Sequence, residues 1–124
     1  MPTQLVMVYG SLLEGLHNHS VLNYSGMVGY HKTDSIYTMI SLGGFPGVLK
    51  RGKTSIKGEV YEVDLNTFKA LDRLEGHPTF YHRELIYTPY GEAWIYILTD
   101  HYQHGIKKEV ADGDWREDYE RTYK

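Results

Sequence analysis

Glu75 is the side chain in this sequence whose position most invites an acid–base role. Apolar residues at helical spacing precede it, and Gly76 and Pro78 follow it, a combination that stops a helix. Glu75 is therefore expected in the last turn of a short helix, where the helix dipole does not stabilise a carboxylate. Position alone favours a solvated glutamate beside a helix cap. The alternative is a carboxyl group with a raised pKa that transfers protons.

A second candidate site follows the first apolar run of the chain. Residues 5–9 are expected to form a buried strand, and Gly10 and Ser11 come directly after it. A glycine at this point lets a ligand approach the backbone and leaves amide groups free to donate hydrogen bonds. Spacing alone favours a plain turn at the end of a strand. Ser11 is a weak candidate nucleophile, because it lacks a Gly-x-Ser-x-Gly context and an identifiable neighbouring base.

Both candidates lie in motifs that resemble those of the gamma-glutamylcyclotransferase-like family, also called the AIG2-like family. The stretch LDRLEGHPTFYHRELI resembles the family's central motif. The stretch VYGSLLEGLHNH resembles its Tyr-Gly-Ser/Thr-Leu loop, which runs into a Gly-x-x-Asn-His segment. The resemblance covers roughly residues 5 to 116. Further matching segments, in the family's order, are GGFPGVLK, GEVYEVD and EAWIYI.

The resemblance implies a reaction and the residues that carry it. A gamma-glutamyl compound would bind so that its alpha-amine attacks its own gamma-carbonyl, releasing 5-oxoproline and an amine or amino acid. Glu75 would be the catalytic acid and base. The loop after the first strand would bind the gamma-glutamyl group, and its backbone amides could form an oxyanion hole. The loop residues assigned to substrate binding are Tyr9, Gly10, Ser11 and Leu12.

Three more residues would support this site. Tyr81 would hydrogen-bond the substrate or Glu75, although a packed tyrosine with a solvated hydroxyl explains the residue equally well. Asn18 and His19 would brace the loop by hydrogen bonds. The chemistry implied requires no cofactor and no metal ion, and its partner is a small gamma-glutamyl substrate.

Two alternatives stay open. A protein of this kind could keep the pocket as a non-catalytic binder or a regulator. A catalytic member could instead act on gamma-glutamyl amino acids, gamma-glutamylamines, gamma-glutamyl-epsilon-lysine or a gamma-glutamyl protecting group on a biosynthetic intermediate. The Tyr-Gly-Ser-Leu loop and the short chain resemble the gamma-glutamylamine branch most.

Composition argues against several other classes of function. The net charge of −3 gives no electrostatic reason to bind nucleic acid or an anionic membrane. The absence of cysteine excludes disulfides, thiolate nucleophiles and Cys-based zinc sites. His101 and His104 have H-x-x-H spacing, but no further ligands are apparent, so solvated loop histidines are expected. Neither a signal peptide nor a membrane-length apolar run is apparent, so a cytoplasmic protein is expected; the oligomeric state is open.

The length and the patterning predict one α+β domain over residues 1–124. Six or so short strands and one clear helix are expected, and the family resemblance implies a small mixed β-barrel with one or two flanking helices. Asp64 is the expected N-cap of the helix that ends near Glu75. Residues 43–47 are expected to form a tight loop, and residues 50–57 a solvated hairpin tip.

Four further positions carry expectations of their own. Asp72 is expected to be solvated, and Glu59 would need a partner if it faced the interior. Arg83 is expected to pair with a nearby acid. Trp115 is expected in the core or over the pocket, and residues 117–124 as a final helical turn or a flexible tail.

Overall fold

The computed structural model describes residues 2–23, 25–99 and 108–123. Its strands form a five-stranded sheet, in the order β2-β5-β1-β7-β6, and a three-stranded sheet, in the order β4-β3-β8. A short 3₁₀ helix spans His19–Leu22. The His101–His104 pair lies outside the described residues. The strands are β1 (Thr3–Val8), β2 (Gly26–Lys32), β3 (Tyr37–Ser41), β4 (Pro46–Thr54), β5 (Lys57–Asp64), β6 (Tyr81–Thr88), β7 (Gly91–Leu98) and β8 (Lys108–Glu109), and the helices are α1 (Leu65–Glu75) and α2 (Trp115–Tyr123).

Strand β1 is the centre of the larger sheet. It pairs antiparallel with β5 along its whole length and parallel with β7 at two positions, Val6 with Trp94 and Met7 with Ile95. Its last three residues are buried, as the apolar run predicts. The α+β class is confirmed. The described strands form two separate sheets and no closed ring, so the barrel stays a prediction.

Helix α1 begins and ends where the sequence predicts. The Asp64 side chain accepts a hydrogen bond from the Thr67 amide at 2.7 Å, which caps the first turn. Gly76 adopts φ 65°, ψ 36°, the left-handed conformation that glycine reaches without strain, and this ends the helix. Glu75 is the last helical residue, because the chain turns away immediately after it.

The glycine-rich loop is shorter than expected, because β4 begins inside it. Pro46 pairs with Ser41, and Gly47 pairs with Ile40. A proline is tolerated as the first residue of a strand, where its missing N–H need not enter the ladder. A side chain at Gly47 would lie 3.0 Å from Leu98, so the strand approaches β7 closely there. The predicted hairpin tip at residues 50–57 is also wrong, since β4 continues through most of it.

The end of the chain closes one side of the core. Trp115 is 1% exposed and belongs to a cluster with residues of both sheets, which confirms its expected place in the core. Helix α2 continues from it, and the Asp114 carboxylate accepts a hydrogen bond from the Glu117 amide at 3.1 Å. Within the described ranges, no helix is both long and apolar enough to cross a membrane. The cytoplasmic location stays a prediction.

Candidate active site

A cavity of about 230 Å³ opens where the end of β1, the end of α1 and the start of β4 meet. Its lining includes Leu74 and Glu75 from the last turn of α1, and Phe45 and Pro46 from the glycine-rich turn and β4. The structure thus brings together two motifs that lie more than fifty residues apart in the chain. All six residues that the sequence analysis assigned to the site line this cavity, and they are Tyr9, Gly10, Ser11, Leu12, Glu75 and Tyr81.

Glu75 is the only carboxylate among the residues that line this cavity. In the part of the chain that the structure describes, its side chain has no hydrogen-bond or ion-pair partner. Burial raises the pKa of Glu75 from 4.5 to about 7, because the charged form loses hydration without gaining a partner. A carboxyl group with that pKa exchanges protons readily near neutral pH.

The loop after β1 presents unused backbone donors to the cavity. The amides of Gly10, Ser11 and Leu12 donate no hydrogen bond to any other described residue. Leu12 is 3% exposed, and its burial anchors in the core a loop whose residues line the cavity. Such amides can stabilise negative charge that develops on a bound carbonyl oxygen.

Asn18 and His19 brace this loop, as the sequence analysis expected. The Asn18 side chain donates to the Ser11 hydroxyl at 2.8 Å, and the Asn18 amide donates to the Ser11 carbonyl at 2.9 Å. A ring nitrogen of His19 lies 2.9 Å from the Leu12 carbonyl, at hydrogen-bond distance. The hydroxyl of Ser11 therefore has an amide as its partner and no base, an arrangement that does not activate a nucleophile.

Three tyrosines line the cavity, and two of them, Tyr9 and Tyr81, donate their hydroxyl protons to backbone carbonyls. The Tyr9 hydroxyl donates to the Tyr96 carbonyl at 2.7 Å, and the Tyr81 hydroxyl donates to the Pro46 carbonyl at 2.6 Å. Burial raises the pKa of both phenols well above the ordinary value, so both stay neutral. Tyr81 makes no hydrogen bond to Glu75, and its contact with a substrate stays a prediction.

Asp72 is a residue whose surroundings the sequence analysis misread. It was expected to be solvated, but its two carboxylate oxygens accept from Arg83 at 2.9 and 3.1 Å, which confirms the expected pairing of Arg83. The Tyr96 hydroxyl donates to the same carboxylate at 2.7 Å. Burial alone would raise the pKa of Asp72, but the hydrogen bonds from Arg83 and Tyr96 lower it below its ordinary value. Asp72 lies one helical turn before Glu75. That spacing was the only local indication in the sequence that Asp72 lies near the site.

Across residues 2–23, 25–99 and 108–123, no group of three His, Asp or Glu side chains is suited to hold a metal ion.

Known proteins match this chain over most of its length. The family described as "Gamma-glutamyl cyclotransferase, AIG2-like" matches residues 6–117. This chain belongs to that family. A gamma-glutamylcyclotransferase-type protein of Vibrio cholerae is 42% identical over 111 residues, covering 90% of this chain and 94% of the relative. The prediction of a gamma-glutamylcyclotransferase-type enzyme is therefore confirmed at the level of the family.

Escherichia coli supplies a relative in both sequence and structure. The gamma-glutamylcyclotransferase family protein YtfP is 37% identical over 112 residues, covering 89% of this chain and 94% of that protein. Its solution structure superimposes with a TM-score of 0.72 at 36% identity, over 90% of this chain and 96% of the other. The α+β arrangement is therefore shared with that protein.

Proposed function

We propose that this protein converts a gamma-glutamyl compound into 5-oxoproline and a free amine or amino acid, with Glu75 as the acid and base. The observation that carries the proposal is the unpaired Glu75 carboxyl, with its pKa raised to about 7, facing the same cavity as the free loop amides. A group that is partly protonated near neutral pH can both accept and return a proton within one turnover.

The reaction is an internal displacement. The alpha-nitrogen forms a bond to the gamma-carbon, and the bond from that carbon to the departing nitrogen breaks. The alpha-ammonium loses two protons as it becomes the lactam N–H. Glu75 accepts each of them in turn and passes it to the departing nitrogen, which leaves as an ammonium, so protons and charge balance. Holding the folded substrate conformer supplies much of the acceleration, since attacking and attacked atoms belong to one molecule.

The loop amides complete the chemistry. As the alpha-amine attacks, negative charge develops on the gamma-carbonyl oxygen. The amides of Gly10, Ser11 and Leu12 are among the described groups that can donate to this oxygen without breaking a bond inside the protein. Tyr81 would support the substrate through its ring and hydroxyl oxygen, because its proton is held by Pro46.

The lining of the cavity favours a leaving group without a carboxylate. Glu75 is its carboxylate, and the described lining contains neither lysine nor arginine. Phe45, Leu74 and Phe80 contribute apolar surface. A leaving amino acid would bring a further negative charge into this site, where the described lining offers no lysine or arginine to pair with it, and this is unfavourable. We therefore infer gamma-glutamylamines as the preferred substrates.

The test is 5-oxoproline release from matched gamma-glutamylamines and gamma-glutamyl amino acids. We expect turnover by the wild type, higher for the amines, and a loss of at least about 100-fold in kcat for Glu75→Gln. Glu92→Gln, a change at an exposed glutamate, is the matched control and should keep full activity. A folded Glu75→Gln variant with wild-type kcat would exclude the relay, and specific ligand binding without turnover by the wild type would favour the non-catalytic alternative.

A further inference from the structure

A second buried carboxylate lies away from the cavity, on β5. Glu59 is 1% exposed, although charged side chains are rarely buried so completely. Its Oε2 accepts from Arg116 at 2.8 Å, and its Oε1 accepts from the Tyr61 hydroxyl at 3.0 Å. The proposed reaction uses none of these groups, and none of them lines the site cavity.

Glu59 and Arg116 share one further partner, the backbone of Glu14. The Glu14 amide donates to Glu59 Oε1 at 3.0 Å, and Arg116 Nη2 donates to the Glu14 carbonyl at 2.7 Å. Glu59 thus binds the backbone amide of Glu14, and Arg116 binds its carbonyl. Glu14 lies two residues after Leu12, so the pair holds the backbone just after the loop residues, whereas Asn18 holds Ser11.

Net stability is a poor explanation for this arrangement. Removing two charges from water offsets most of their mutual attraction, and apolar residues of similar volume often stabilise a protein as well or better. An apolar pair could not satisfy the amide and the carbonyl of Glu14, however. What the ion pair supplies beyond an apolar pair is a fixed position for that backbone.

We propose that Glu59 and Arg116 are positioning residues for the substrate loop. They hold Glu14 so that the amides of Gly10, Ser11 and Leu12 stay aimed at the developing oxyanion. Because Arg116 belongs to α2, the C-terminal helix becomes part of the device that orders the site. This inference rests on the proposed function, since its kinetic consequence requires an oxyanion in the cavity.

Precise placement of such donors governs the rate more than it governs binding. A displacement of about 1 Å can lower kcat about 100-fold when donors must meet a transition-state charge. The ground-state substrate also contacts the rest of the cavity, so its affinity depends less on the loop. The signature of positioning is therefore a fall in kcat with little change in KM.

The kinetic test compares Arg116→Met with Arg121→Met, which alters an exposed arginine on the same helix. For Arg116→Met we expect kcat to fall about 100-fold and KM to change less than about threefold. Arg116→Lys, which keeps a charge beside Glu59, should recover part of kcat and serves as the second variant if the first does not fold. Wild-type kcat in a folded Arg116→Met or Arg116→Lys variant would overturn the inference.

A second measurement does not depend on turnover. Hydrogen exchange of the Glu14 amide reports directly on the hydrogen bond to Glu59, and we expect it to speed up about tenfold or more in Arg116→Met but not in Arg121→Met. Unchanged exchange would overturn the positioning role. Absence of turnover in the wild type, with the exchange difference intact, would overturn the proposed function and leave the clamp on the loop in place.

Discussion

Two ion pairs connect elements near the cavity, Asp72–Arg83 and Glu59–Arg116, and they differ in what they connect. The Asp72–Arg83 pair joins two regular elements, α1 and β6, through two parallel hydrogen bonds. The Glu59–Arg116 pair joins β5 to α2, and both of its members also form hydrogen bonds with the backbone of Glu14 in an irregular loop. The first pair connects a helix to a strand. The second pair binds the backbone of a loop that has no regular hydrogen-bonding pattern.

The surroundings of the two pairs follow from these roles. The Arg83 guanidinium lies between two aromatic rings, 4.4 Å from the Phe68 centroid and 4.5 Å from the Trp94 centroid. This stacking adds a cation–π contribution to the fork-like pairing with Asp72. Arg116 has no aromatic ring contact among the described residues, and its Nη2 is shared between Glu59 and the Glu14 carbonyl. We therefore expect the first pair to contribute mainly to stability and the second mainly to catalysis.

Removing Arg83 should have the largest effect on stability. Arg83→Met leaves Asp72 partly buried without its cation, and we expect the free energy of unfolding to fall by about 2–3 kcal/mol, somewhat less than for a fully buried pair. Urea unfolding measures this. The control is Arg73→Met, which alters an exposed arginine next to Asp72 in α1 and is expected to stay within about 0.5 kcal/mol.

The pH–rate profile of Arg83→Met also distinguishes the two ion pairs. Asp72 lies one turn from Glu75, and Tyr96 links Asp72 to the cavity lining. Arg83→Met should therefore shift the apparent pKa of the essential acid, whereas Arg116→Met should lower kcat without moving it. Identical profiles for the two variants would show that the pairs do not have separate roles.

Glu75 itself should make stability depend on pH. Its pKa is about 7 in the folded protein and 4.5 when unperturbed, so between these values the folded state binds more protons than the unfolded state. The contribution of Glu75 to stability is thus greatest below about pH 4.5, falls as pH rises to about 7 and is constant above that. We expect Glu75→Gln to be more stable than the wild type above pH 7, by on the order of 1–3 kcal/mol. Urea unfolding at pH 5 and pH 8 tests this, and an equal difference at the two pH values would contradict it.

The smallest effect is expected at an ion pair that holds neither half of the site. Lys50 Nζ lies 2.6 Å from Glu84 Oε1, but the lysine side chain is 55% exposed. Solvent screening and the loss of side-chain freedom leave such pairs little net stabilisation. Lys50→Ala should change the free energy of unfolding by less than about 0.5 kcal/mol and leave kcat unchanged. A change comparable to that of Arg83→Met would show that exposure does not separate the ion pairs of this protein.

Local sequence determined the elements that carry the site. The apolar run before Gly10 predicted a buried strand followed by a loop, and Asp64 and Gly76 predicted the ends of α1. These signals are local, because a cap, a left-handed glycine and an apolar run act within a few neighbouring residues. The site residues were assigned through the family motifs, and all six lie at one cavity. Their roles await the kinetic tests.

Only the tertiary structure decided which charges are buried and what they hold. Asp72 was expected to be solvated, because its position on the helix does not show that Arg83 of β6 and Tyr96 of β7 approach it. Glu59 and Arg116 are 57 residues apart, and no local sequence pattern indicates that both bind the backbone of Glu14. The pKa of Glu75 likewise depends on burial against distant segments. Hydrogen bonding and desolvation depend on distances in space, and these exist only once the chain has folded.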